Sequence, residues 1–330
     1  MSLASRFRLL LGRAMVVLLV TALPLAAQTV QKQRLPLRDE THLYQASKPT
    51  TPLALFVLAP QRPTPRGVLL LLPGLGEKAE DVFQQTSLAQ EAARAGLLTV
   101  VPTLNNRLYL DSASAHYLDD VLRHLLAQYP NMERLLFLGG FSAGGHLALS
   151  YAERLVGDTT RLPLRVKAVF GVDPPVDLAA FWQVGQRRIA QQCSPLLVRE
   201  GRSLVATLTQ AFGGSPEQVP AAYHQYSAFS SSSPSGGNLV LLKAIPVRVY
   251  CEPDLAFWRQ HYCPTLQLAD LNAAHLQLLV ACLRRQGNQR AQYLETRGKG
   301  RLGRRPFPHS WSIVDAPECI HWLQTVGPEE

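Results

Sequence analysis

The chain has 330 residues, of which 47% are hydrophobic and 17% charged, with a formal net charge of +9. That length holds one large domain or two small ones, and the composition excludes a disordered chain. The five cysteines (Cys193, Cys251, Cys263, Cys282, Cys319) match no zinc-binding spacing, and their odd number leaves at least one thiol free.

At the N-terminus, Arg6, Arg8 and Arg13 precede the apolar run AMVVLLVTALPLA. A basic start, a short apolar stretch and small residues at its exit read as a signal peptide over residues 1–27, cleaved near Ala27. The run is short and interrupted by Pro24, which argues against a stable membrane span, with a retained anchor as the competing reading. Removing the segment takes away three Arg and leaves a net charge of +6 on residues 28–330. The expectation is an exported protein, periplasmic or secreted.

The mature part alternates strands and helices. LALFVLAP and GVLLLLPG (67–74) read as strands, the second without polar alternation and so buried on both faces. A helix is expected over 79–95, then the strand LLTVVP, then a helix over 113–129 that ends at Pro130. RLLFLGG is a strand, GGHLALSYAERL a helix, and RVKAVFGV another strand. Residues 178–243 break the rhythm with AFGGSPEQVP and SSSSPSGG and read as a cap-like insertion. The strand IPVRVYC, a helix over 266–285, the strand AQYLET and a last helix from Ala316 complete the pattern. It predicts a mostly parallel central sheet flanked by helices, with ligands at the C-terminal edge of the strands.

The motif Gly140-Phe141-Ser142-Ala143-Gly144 lies where a buried strand meets a helix. Glycines on either side of a serine remove the Cβ atoms that would clash in a sharp turn. They leave the hydroxyl exposed as a nucleophile. The bland alternative is an ordinary turn. In this context the chain resembles the α/β-hydrolase superfamily, its elbow looking most like those of serine esterases and prolyl-oligopeptidase-like hydrolases. The resemblance spans almost all of the mature chain.

It implies an α/β-hydrolase fold and three further parts. One is an oxyanion hole, its donors the amides of Ala143 and of Leu75 in Pro73-Gly74-Leu75-Gly76-Glu77; many relatives have His-Gly where this chain has Pro73-Gly74. A second is a histidine base in the loop before the last helix, here His309 in RPFPHSW. His116, His124, His275 and His321 fall in helical patterns, His146 should point away from Ser142, and His224 and His261 lie in irregular segments. The third is an acid between serine and histidine. Asp254, beyond the strand VRVYC, is the expected residue, with Glu252 as near competitor and Asp173 or Asp177 as outside alternatives.

The expected triad is Ser142, Asp254 and His309, cleaving carboxylic esters through an acyl-enzyme intermediate. A prolyl-oligopeptidase-type peptidase and a non-catalytic binding protein are the alternatives. Phe181, Trp182, Tyr223, Tyr226 and Phe229 of the insertion could line an apolar pocket or glue the cap to the sheet. Arg107 and Tyr109 could touch substrate, and Trp258 and Trp311 could wall the site. No phosphate loop, metal cluster or dinucleotide fingerprint is evident, so no cofactor or metal is expected. The partner is a small-molecule ester or a peptide. The basic run RGKGRLGRR near the C-terminus lies in no nucleic-acid module, so no nucleic-acid partner is expected. Cys251 and Cys263 could pair, although spacing alone does not decide it.

Overall fold

A computed structural model describes residues 29–35, 53–104 and 106–326. The expected signal peptide lies outside the described residues. Eight strands form one sheet: β1 (Gln31–Gln33), β2 (Leu55–Leu58), β3 (Val68–Leu72), β4 (Leu98–Pro102), β5 (Leu135–Phe141), β6 (Arg165–Val172), β7 (Val247–Cys251) and β8 (Gln292–Glu295). Their order across the sheet is β1-β2-β4-β3-β5-β6-β7-β8. From β4 to β8 all neighbours are parallel, while β1 and β2 run antiparallel at one edge.

The central strands are apolar on both faces because helices cover both. In β3, Val68, Leu70 and Leu72 face one core, and Leu69 and Leu71 face the other. The first core is closed by α3 (Ser112–Gln128), α4 (Ala143–Gly157) and α9 (Ala273–Arg285). The second is closed by α1 (Val82–Gln85), α2 (Leu88–Arg94) and α10 (Ala316–Thr325). Each fully buried Leu contributes roughly 2 kcal/mol. The helix expected over 79–95 is broken at Thr86 and Ser87 into α1 and α2. The one expected over 266–285 becomes a single 3-10 turn at Leu268–Asp270 followed by α9.

The stretch 178–243 contains α5 (Leu178–Gln191), α6 (Pro195–Phe212) and α7 (Pro220–Tyr226). Their inner faces form a separate apolar cluster with Leu108 and Ala143. The remainder behaves differently: Ala228, Phe229, Leu239 and Leu242 join the first main core. A disulfide links Cys193, between α5 and α6, to Cys263, which follows α8 (Leu255–His261), with a Cα–Cα distance of 5.4 Å. The considered Cys251–Cys263 pairing is therefore wrong. Cys251 is the last residue of β7 and is buried in the core as a free thiol, as are Cys282 and Cys319.

One buried base on α4 makes stability depend on pH. His146 has no exposed surface, and its Nε2 donates to the carbonyl of Tyr226 at the end of α7, 3.0 Å away. Burial pushes its pKa down to about 4. The unfolded chain, with an imidazole near 6.5, therefore binds more protons between these values. The stability tied to the neutral ring is complete above the unfolded value and falls by roughly 3 kcal/mol as pH drops through the window. Glu153, also buried on α4, opposes this trend, since burial pushes its carboxyl up. A His146→Gln variant keeps the donor and removes the titration. Its stability relative to the parent, from urea unfolding, is expected to rise by about 3 kcal/mol between neutral pH and pH about 4; parallel pH profiles would refute this account.

Candidate active site

β5 hands over to α4 at Ser142, whose φ of 52° and ψ of −122° lie outside the usual regions for an L-residue. Such a conformation costs of order 1–3 kcal/mol and persists only where its surroundings enforce it. Here the Ser142 amide donates to the Val172 carbonyl at the end of β6, 2.8 Å away. A Cβ on Gly140 would overlap the carbonyl of Gly144, and one on Gly144 would overlap the carbonyls of Leu72 and Pro73. The two glycines thus let the start of α4 lie directly on the end of β3.

His309 stands over this turn. Its ring centroid is 4.7 Å from that of Phe141, the residue before Ser142. Its Nδ1 donates to Oδ2 of Asp173 at 2.6 Å. That bond fixes the tautomer and leaves Nε2 as the basic nitrogen.

The carboxylate is not the expected one. Asp254 caps α8, with Oδ1 accepting from the Phe257 amide at 2.8 Å, and is exposed. Glu252 is committed elsewhere, accepting from the Lys299 amide at 2.8 Å, the Gly300 amide at 3.1 Å and the Thr296 hydroxyl at 3.2 Å. Asp177 caps α5 and accepts from the Ser231 amide and hydroxyl. Asp173 directly follows β6, one strand nearer Ser142 than β7. Its φ of 48° is one that aspartate tolerates better than most residues. Its amide donates to the Tyr250 carbonyl at 2.8 Å, and its own carbonyl accepts from Asn272 at 2.9 Å. Its Oδ1 accepts from the Cys251 thiol at 3.2 Å. Burial and this neighbouring carboxylate push the thiol pKa up, so Cys251 acts only as a neutral donor. Sequence reading had no reason to expect Cys251 or Asn272 here, since a single cysteine and asparagine carry no motif.

The loop after β3 is built around Glu77. Its Oε2 accepts from the Gly74 amide at 2.7 Å and its Oε1 from Trp311 Nε1 at 2.9 Å. Burial raises its pKa, and the two donated hydrogen bonds oppose the rise. With Gly74 so engaged, the Leu75 amide is the next along the loop, and it has no acceptor among the described residues. The Leu75 side chain is exposed. Ala143, as the first residue of α4, has an amide with no intrahelical acceptor.

Of the other aromatic candidates, Phe181, Trp182, Tyr223 and Tyr226 gather with Tyr109 and Phe212 in the apolar cluster that includes Ala143. The Tyr226 and Phe212 rings stack at 5.1 Å, and Tyr109 meets both edge-on. Phe229 belongs to the main core instead. Arg107 pairs with Asp111 at 2.5 Å. Trp311 is buried against Phe141 and belongs to the site, whereas Trp258 packs on Tyr262 and Phe307. His224 and His261 lie in α7 and α8 rather than in irregular segments. Among the described residues no cluster of His, Cys, Asp and Glu could hold a metal, and no helix is long and apolar enough to cross a membrane.

No family model matches the chain, and no curated sequence does either. Solved structures do. An S-formylglutathione hydrolase from Agrobacterium tumefaciens superposes with a TM-score of 0.50 at 13% identity, over 83% of this chain and 90% of that one. Carboxyl esterase 2 from Tuber melanosporum gives 0.53 at 16% identity, over 92% and 85%. The acylaminoacyl peptidase of Pyrococcus horikoshii gives 0.52 at 11% identity, over 92% of this chain but 43% of that one.

The steric account of the turn is directly testable. A Gly144→Ala change forces α4 off β3 and is expected to cost about 3 kcal/mol or more. The measurement is urea unfolding of the purified variant. A loss under about 0.5 kcal/mol, the range of an inert surface change, would mean the close approach does not constrain the turn.

Proposed function

We propose that this chain, which has the α/β-hydrolase fold, is a serine hydrolase that cleaves carboxylic esters, with Ser142 as nucleophile, His309 as base and Asp173 as the orienting acid. The observation that carries the reading is the 2.6 Å bond from His309 Nδ1 to Asp173, made beside the strained turn that presents Ser142. A serine hydroxyl is a weak nucleophile near neutral pH and needs a neutral imidazole of fixed tautomer. Asp173 supplies that and stabilises the imidazolium when it forms.

In this reading Ser142 Oγ attacks the ester carbonyl while His309 takes its proton. The oxyanion is received by the amides of Ala143 and Leu75. The tetrahedral species collapses, the C–O bond to the alcohol breaks, and His309 returns the proton to the leaving oxygen. Water, activated by the same imidazole, then hydrolyses the acyl-enzyme. No cofactor enters. The aromatic cluster of α5 to α7, which reaches Ala143, serves as the wall of a cap over the acyl or alcohol group.

Similarity over most of the length of a carboxyl esterase and of an S-formylglutathione hydrolase, which cleaves a thioester, supports an acyl ester over a peptide, because the peptidase carries more than half its chain outside the match. Export fits the buried disulfide partner Cys263 and the basic-then-apolar N-terminus, since disulfides persist in oxidising compartments.

Labelling by a fluorophosphonate, followed by kcat/KM on p-nitrophenyl esters of graded acyl length, tests the assignment. Ser142→Ala is expected to abolish labelling and to lower turnover by at least about 10³-fold, and Asp173→Asn by a comparable factor. Asp254→Asn is expected to retain most activity and, because the asparagine side-chain oxygen can still accept from the Phe257 amide, to change stability by less than about 0.5 kcal/mol. An active Asp173→Asn enzyme beside an inactive Asp254→Asn enzyme would reverse the assignment of the acid.

Glu77 should matter for rate rather than for binding. Both its oxygens accept, so Glu77→Gln turns an NH2 toward either Gly74 or Trp311 and loosens the loop that carries Leu75. The expected effect is a fall in kcat of about tenfold to a hundredfold with KM nearly unchanged. A rise in KM at constant kcat would assign Glu77 to substrate binding instead.

A further inference from the structure

The stretch between β8 and His309 is longer than a strand-to-helix connection requires. It carries a two-stranded ribbon, β9 (Arg301–Leu302) paired antiparallel with β10 (Arg305–Pro306), turning at Gly303 and Arg304. Lys299, Arg301, Arg304 and Arg305 are all exposed, and no acidic side chain pairs with any of them among the described residues. The neighbouring Arg297 is the exception, since it meets Glu295 at 3.2 Å. Between these cations Leu302 stands 57% exposed. It lies directly opposite Arg305 in the ribbon, so an apolar side chain and a guanidinium share one face.

The ribbon's base is held firmly. Glu252 accepts from the amides of Lys299 and Gly300, the Arg301 amide donates to the hydroxyls of Ser310 and Ser312, and the Phe307 amide donates to the Gly300 carbonyl. Ser310 is the residue after His309. The cationic tip is thus rigidly joined to the loop that carries the base.

We propose that this ribbon is a docking surface for an anionic lipid bilayer, which seats the active site at the membrane face. Clustered Lys and Arg attract an anionic headgroup layer, each worth about a fivefold gain in partitioning. The exposed Leu302 adds what a purely electrostatic surface lacks, an apolar side chain placed to enter the interface beside its snorkelling neighbours. A nucleic acid is the less suitable polyanion. The ribbon offers no aromatic ring for base stacking, and an exposed leucine gains nothing from phosphates. A rigid ribbon also loses little conformational freedom on docking.

The test is co-sedimentation of the purified full chain with vesicles of phosphatidylcholine alone and of phosphatidylcholine mixed with phosphatidylglycerol. Binding is expected to the mixed vesicles and to weaken with salt. A double variant, Arg304→Glu with Arg305→Glu, has the same N-terminal segment as the parent. The difference between the two therefore reports the ribbon, and a loss of at least about 25-fold is expected. Leu302→Ala is expected to weaken binding a few-fold at high salt, where the apolar contact dominates. Hydrolysis of a soluble ester should be unchanged in the double variant, and Ser142→Ala should bind vesicles like the parent. The docking result is therefore independent of the proposed chemistry. Equal binding to neutral and anionic vesicles, undiminished binding by the double variant, or preferential binding to an oligonucleotide at the same salt would each overturn the proposal.

Discussion

The contact of Gly144 with the end of β3 is the constraint from which the rest of the site follows. A helix can start on top of a neighbouring strand only if no side chain intervenes, and the backbone of Gly144 lies against the carbonyls of Leu72 and Pro73. That approach forces Ser142 into its unusual conformation. It also brings the first amide of α4 beside the loop that leaves β3, so that the amides of Ala143 and Leu75 belong to one small region. Packing at the centre of the sheet thereby sets the geometry at its edge. The energy that holds the strain comes from β3, β5 and β6, whose apolar side chains are buried on both faces.

The path from β8 to Asp173 explains the long loop that bears His309. β8 lies two strands away from β6, and neighbouring strands are about 4.8 Å apart. The imidazole must reach across the end of β7 to meet Asp173. Residues between Glu295 and His309 supply that reach, and Glu252 at the end of β7 fastens them on the way by accepting from Lys299 and Gly300. Glu252, the near competitor in the sequence reading, thus supports the loop that bears His309, while its neighbour Asp254, the residue expected to pair with the histidine, caps a helix.

The succession of strands and helices along the chain, the mostly parallel sheet, the glycine-flanked turn at Ser142 and the loop that bears His309 were legible in the sequence because each has a local signature. Buried runs, flanking glycines and a histidine in a loop before a helix are all contiguous patterns. The carboxylate that His309 meets was not legible in the same way. Asp173 and Asp254 both follow buried strands, and the choice between them depends on which strand edge His309 reaches. That is a matter of sheet order and of the Asp173 backbone conformation, neither of which a short segment encodes. The Asp-Pro-Pro sequence after β6 was the available hint, a sharp turn immediately beyond a strand end. Disulfide pairing failed for the same reason: Cys193 and Cys263 are separated by 70 residues. Only folding of α5 and α6 beside α8 brings them together.

Glu77 has a consequence for motion. One carboxylate holds the loop after β3 through Gly74 and the loop before α10 through Trp311. Neither loop can swing outward alone without breaking a hydrogen bond in a largely buried place, where an unmade bond to a charged group is expensive. Motion of the two loops is therefore concerted: they open together or stay shut together. Fluctuations that separate His309 from the Leu75 amide are suppressed, while a larger, rarer opening of both loops together remains available.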